Sequence, residues 1–176
     1  MKKFYISDMH LFHHDILSTC NRPYKTLKEM HEDIIIKWNK KVSKNDIVYI
    51  IGDVASPSNS DDVKNVVNIL KMLNGNKVLI VGNHDRESIK NFEFRKCFME
   101  IKEYARKKDG RKKVVMFHCP LECWEGDKKG VVHIHGHIHN EPISKKDNRY
   151  NVGVDVLDFE PKTLDELINT SKKDTV

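Results

Sequence analysis

No two of the four cysteines, Cys20, Cys97, Cys119 and Cys123, form a C-x-x-C pair, and a chain of 176 residues does not need a disulfide framework to fold. They read as free thiols in a reducing, cytoplasmic setting. No apolar run approaches the roughly 18 residues of a membrane span, so no membrane partner is expected. Asp8, His10, His13 and His14 interrupt the one N-terminal stretch that begins like a signal peptide. Charge of one sign is also scarce: Lys+Arg 31 against Asp+Glu 26 leaves +5, which permits an anionic substrate and falls short of a polybasic binder. Internal repeats, low-complexity tracts and a clear linker are missing as well. The length and the 39% hydrophobic content suit one domain, residues 1–176, with a single core.

Histidine, by contrast, is abundant, with ten in the chain, and it clusters at the ends of apolar runs. Five segments share one pattern, a short apolar run followed at once by Gly, Asp, Asn or His. They are Phe4–Ile6 before Ser7-Asp8-Met9-His10, Ile47–Ile51 before Gly52-Asp53, and Val78–Val81 before Gly82-Asn83-His84-Asp85. The others are Val114–Phe117 before His118, and Val131–His135 before Gly136-His137-Ile138-His139. Continuous apolar runs of this length suit strands buried on both faces, with the polar clusters gathered at strand ends.

Helical patterns separate the early strands. Thr26 and Glu29 form a capping box ahead of Leu27, Met30, Ile34 and Trp38, and Ser60 is placed to cap a second helix through Val63–Leu73 that Asn74-Gly75 stops. The alternation predicts right-handed β-α-β units, a parallel sheet in the N-terminal half, and a ligand site at the carboxyl ends of its strands. Ile101–Ala105 and Lys113–Phe117 read as a hairpin turning at Lys108-Asp109-Gly110, and Thr163 and Glu166 cap a last helix over Leu164–Ile168.

The chemistry lies in the polar clusters. On an extended strand Asp8 and His10 share a face, as do His137 and His139, with Gly136 free to turn sharply before them. Asp53, Asn83 and His118 arrive singly from other runs. Two carboxylates, an amide and four imidazoles exceed the sites of one ion but fit two if a carboxylate is shared, and Asp53 is the natural bridge. The lack of thiolate points to a catalytic centre over a structural zinc site. Imidazole with carboxylate suits manganese, iron, nickel or zinc.

Asp8-x-His10, Gly52-Asp53, Gly82-Asn83-His84-Asp85, His118 and Gly136-His137-x-His139 resemble, in order, the five-motif signature of the calcineurin-like metallophosphoesterases. The resemblance covers Phe4 to Asn140 and extends through Asn151–Asp155. It is greatest to the small single-domain bacterial and phage-type branch, which has a stretch similar to Cys20-Asn21-Arg22-Pro23-Tyr24. It implies an α/β fold of two facing mixed sheets layered α-β-β-α. It implies Asp8, His10, Asp53 and His139 on one metal, and Asp53, Asn83, His118 and His137 on the other, with manganese taken first. It further implies His84 as a non-ligand acid beside the leaving group, Asp85 as its orienting carboxylate, and hydrolysis by a hydroxide held between the ions.

Other residues divide between roles. Arg22 and His13 are placed to reach a phosphate oxygen alongside Asn83 and His84, although an ion pair that fixes a loop suits Arg22 and solvent suits His13 equally. Phe12 stands where related enzymes often have glycine. His133, His135, Cys119 and Trp38 read as structural, and Trp124 as a residue of a loop that could line the cleft. Gly-Asn-His-Asp and Gly-Asp-Val-Ala-Ser differ from the protein phosphatase pattern, and a short chain leaves an open cleft. The expected activity is therefore on small-molecule or nucleotide phosphodiesters. The alternatives are a phosphomonoesterase, a nuclease using the basic stretch Lys107–Lys113, and a non-catalytic interaction protein on the same fold.

Overall fold

The computed structural model describes residues 1–141, 143 and 146–173. Two four-stranded sheets form the frame. The first has the order β1 (Lys3–Ile6), β2 (Ile47–Ile50), β3 (Asn76–Ile80), β4 (Glu100–Lys102), all neighbours parallel. The second has the order β5 (Tyr104–Asp109), β6 (Lys112–Phe117), β7 (Val132–His135), β8 (Arg149–Asn151), antiparallel only between β5 and β6. Tyr5 also bridges antiparallel to Lys162 on the free side of β1.

The helices are α1 (Ile16–Thr19), α2 (Leu27–Lys41), α3 (Ser60–Met72), α4 (Asp85–Ser88), α5 (Phe92–Arg95) and α6 (Leu164–Lys173). Thr26 caps α2 by accepting from the N–H of Glu29 at 3.2 Å, while Glu29 reaches back to the N–H of Lys25 at 2.9 Å. The cap of α3 is Asn59, one residue before the expected Ser60. Its side chain accepts from both Asp61 and Asp62, which a serine hydroxyl one position later is not placed to do. Thr163 and Glu166 close the reciprocal box of α6.

Strand alternation then sorts the side chains. Phe4, Ile6, Val48, Ile50 and Leu79 face α2, α3 and α5, where Met30, Ile34, Trp38, Val66, Leu70 and Phe94 complete a buried cluster. Tyr5, Tyr49, Ile51, Val78 and Ile80 point the other way, onto Ala105, Val114, Met116, Val132 and Ile134 of the second sheet. The outer face of that sheet carries His133, His135 and Val115 beneath Trp124 and Val131, so the fourth layer is the segment around a single 3-10 turn at Asp127–Lys129. Trp124, expected near the cleft, is buried here and donates to the carbonyl of Val131 at 2.9 Å. Trp38 is core as expected, and Cys119 is only half-buried.

The stretch read as one strand over Ile101–Ala105 is two. β4 joins the first sheet and β5 the second, with the chain crossing between layers at Glu103. Side-chain alternation marks a strand but not a change of sheet, so the pattern runs unbroken through the crossing. The turn lies at Gly110-Arg111, since Asp109 pairs with Lys112.

Candidate metal centre

Registers such as Ile6 opposite Ile50, Ile50 opposite Leu79 and Met116 opposite Ile134 bring strands to an end together, and the chain segments that follow them converge. Asp8 and His10 do not extend β1 as expected. Both take left-handed backbone, at φ 57° and 51°, and so do Asp53 at 52°, His137 at 74° and His139 at 48°. Such conformations cost on the order of 1–3 kcal/mol each for non-glycine residues and persist only where the surroundings enforce them. Here the N–H groups of Asp8, His10 and Leu11 bond to the carbonyls of Gly52, Asp53 and Val54 at 3.1, 3.0 and 2.9 Å, locking one loop to the next. Gly136, expected for a sharp turn, is needed for space, because a Cβ there would run into Ser7 Oγ and the carboxylate of Asp8. Gly82 is likewise pressed against Asp53.

The seven expected donors form one chain of close contacts, in which Asp53 stands between His10 and His118. Asp53 Oδ2 lies 3.5 Å from His10 Nε2 and 3.3 Å from His118 Nε2. Asn83 Oδ1 lies 3.1 Å from both His118 Nε2 and His137 Nδ1. Asp8, His10 and His139 form one set with ligand atoms within 4.8 Å of one another, Asp53, His118 and His137 another, and His10, Asp53 and His84 a third that joins them.

The electrostatics suit divalent cations. Burial pushes Asp8 up to about 6 and holds His10 down to about 3, so His10 is neutral and keeps a lone pair to offer. Burial also opposes charge on Asp53 and His118, but their mutual hydrogen bond and attraction win, taking Asp53 down to about 2 and His118 up to about 9. Asp53 thus draws positive charge to its side, a demand that a bound cation meets while leaving His118 neutral. His10 Nε2 is buried with no hydrogen-bond partner, its distance to Asp53 being that of an ion pair. An orphaned nitrogen of that kind costs about 1–3 kcal/mol unless something coordinates it.

Around this centre the remaining residues separate. His84 is exposed, with its backbone N–H on Asp53 Oδ1 at 2.9 Å and its ring 4.9 Å from that of His10 and 5.5 Å from that of His13. His13 is half-buried, with Nδ1 3.1 Å from His10 Nδ1. Asp85 does not orient the His84 ring as expected. Its two oxygens accept three backbone N–H groups, from Asp53, Val54 and Gly82, all at 2.9 Å, so it shapes the loops that carry Asp53 and Asn83.

Arg22 takes the ion-pair role over the phosphate contact. Its guanidinium is buried and committed to Asp155 at 2.8 and 3.0 Å and to the carbonyls of Met9 and Asp8 at 2.9 and 2.7 Å. Asp155 was not singled out as a site residue, yet it sits 2.8 Å from His139 Nδ1. Its only advance signal was its place in the Asn151–Asp155 stretch.

Phe12 also sits at positive φ, 58°, which accounts for glycine being common there in related enzymes. His31 accepts its N–H at 3.3 Å, and the two rings lie 4.6 Å apart.

The family model described as calcineurin-like phosphoesterase matches residues 1–105. An uncharacterized protein of Methanocaldococcus jannaschii is 34% identical, over 100% of this chain and 95% of that protein. The Gene 66 protein of Mycobacterium phage L5 is 26% identical over 86% of each. Among solved structures, a protein of unknown function from Aquifex aeolicus superposes with a TM-score of 0.73 at 24% identity, covering 96% of this chain and 98% of that one, a likeness of fold.

Proposed function

The chain belongs to the calcineurin-like phosphoesterases, and from that premise we propose that it hydrolyses small-molecule or nucleotide phosphodiesters at a two-metal centre. The observation that carries the reading is the gathering of donors from five chain segments, with Asp53 between His10 and His118 and the buried His10 Nε2 left unpartnered. Asp8, His10, Asp53 and His139 would hold one ion, and Asp53, Asn83, His118 and His137 the other, with manganese first among the candidates. Two such ions, when bound, neutralise phosphate charge and make water nucleophilic near neutral pH.

The chain's own groups do the rest. Asn83 and His84 are exposed at the mouth of the centre, where they can bind the ester and His84 can deliver a proton to the departing oxygen. His13, half-buried beside His84, offers its second ring nitrogen to a phosphate oxygen. The exposure of Asn83, His84 and His137 leaves room for the second ester group of a diester.

The nuclease alternative is weakened by placement. Lys107–Lys113 forms the tip of β5 and β6, next to Lys3 at the start of β1, and β6 then runs six residues before His118. At about 3.3 Å per residue the tip stands roughly 20 Å from the centre.

The test is hydrolysis of bis-p-nitrophenyl phosphate and of p-nitrophenyl phosphate with added manganese. Turnover of the diester well above the monoester is expected. Turnover of the monoester alone, or of neither, would overturn the proposal.

A further inference from the structure

Two strongly bonded groups lie just behind the centre. Asp155 Oδ2 faces His139 Nδ1 at 2.8 Å, and Arg22 grips the same carboxylate through Nε at 2.8 Å and a terminal nitrogen at 3.0 Å. A carboxylate only accepts, so the hydrogen of a neutral His139 ring sits on Nδ1 and the lone pair is left on Nε2. The same guanidinium holds the carbonyls of Asp8 and Met9 at 2.7 and 2.9 Å, where Asp8 carries its left-handed backbone. Asn151 secures the other end of His139 by donating to its carbonyl at 2.7 Å. Segment 151–155 is itself tied to the chain after β1, with the N–H of Val154 on the carbonyl of Ser7 at 3.0 Å.

This bracing is one-sided. The clamp reaches Asp8 and His139, whose ligand atoms lie within 4.8 Å of each other and of His10. On the other side His118 Nδ1 leans on the carbonyl of Ile51 at 2.7 Å, and Asn83 and His137 face each other. Neither Arg22 nor Asp155 is bonded to any of those three among the described residues. A partner that fixes the tautomer and angle of a ligating histidine typically changes metal affinity by about 10–100-fold.

We propose that Asp155, clamped by Arg22, is a positioning residue for the ion assigned to Asp8, His10 and His139, and that it leaves the second ion's affinity largely untouched. The proposal rests on the two-metal reading above and adds an asymmetry between the two sites. Arg22 is then the joint between two ligands from opposite ends of the chain.

The experiment is manganese titration of wild type and variants by calorimetry, with the bound ion followed by electron paramagnetic resonance. Asp155→Asn keeps the shape of the carboxylate but strands the buried guanidinium. The double variant Arg22→Gln with Asp155→Asn removes both charges together and so avoids an uncompensated buried ion. In both, one of two manganese sites is expected to weaken roughly 10–100-fold while the other holds, and the spectrum at limiting manganese shifts from a coupled pair to a single isolated ion. Titration of both variants like wild type, or loss of both sites in step, would overturn the proposal with the two-metal reading intact. A wild type that never binds a second manganese would overturn that reading, and the proposal with it.

Discussion

His84 shows how finely the centre distinguishes neighbours. It belongs to the same short motif as Asn83 and Asp85, yet its ring is exposed beside His10 and His13 while the Asp85 carboxylate is buried on backbone N–H groups. Replacing His84 should therefore leave metal binding intact and remove the proton donor. His84→Ala is expected to bind manganese like wild type and to lose about 10²–10⁴ in turnover on alkyl phosphodiesters, whose leaving groups need a proton. Wild-type turnover on such a substrate would remove His84 from that role.

The seven donors were legible at this scale because each closes an apolar run, so their chemistry and position are visible together. The pairing of Arg22 with Asp155 was not, since it spans 133 positions and ion-pair partners leave no local pattern. Asp85 misled for a related reason: adjacency to His84 suggested contact, but three buried N–H groups compete for its oxygens.

Among the elements, α2 does more than cover the first sheet. Its His31 turns inward, and the ring nitrogen that accepts the N–H of Phe12 must be unprotonated to do so. Burial holds His31 down to about 4 from an ordinary 6.5. The unfolded chain therefore takes up this proton first as pH falls. The contribution is complete above about 6.5 and is lost progressively toward 4, by roughly 3 kcal/mol in all. Asp8 and Asp85, raised by burial to about 6, act in the opposite direction over part of that range, so the clean readout is a difference. His31→Gln keeps an acceptor without a titrating group. Its urea stability should fall less steeply than that of wild type between pH 6.5 and 4, and parallel curves would contradict the assignment.

Element identity was largely readable from period and caps, with Thr26 and Thr163 both found at work. Boundaries failed where two capping residues stand side by side, as at Asn59 and Ser60, and where strand character continued through the crossing from β4 to β5.

Over the whole molecule, alternation along β1 to β3 gives the first sheet two buried faces, one for helices and one for the second sheet. That stacking lets loops from both sheets share one edge, with Asp8, Asp53 and Asn83 supplied by the first and His118, His137 and His139 by the second. The order of layers could be inferred from the family resemblance. The bare fourth layer around Trp124 could not, because a loop over a sheet has no periodicity to detect.

The same geometry separates the basic hairpin tip from the centre. Reversing charge there, as in Arg111→Glu with Lys112→Glu, should leave kcat/KM on a small diester and its salt dependence within about twofold of wild type, since a charge roughly 20 Å away is screened. A tenfold loss would bring the tip into substrate binding.

No helix among the described residues is long and apolar enough to cross a membrane. At the shared edge the geometry predicts a pair of ions held jointly by Asp53. Anomalous scattering from crystals grown with manganese measures it directly: two peaks are predicted, both touching Asp53, one also beside Asp8 and His10 and the other beside Asn83 and His118. A single peak under saturating manganese, or two peaks with Asp53 bound to neither, would contradict it.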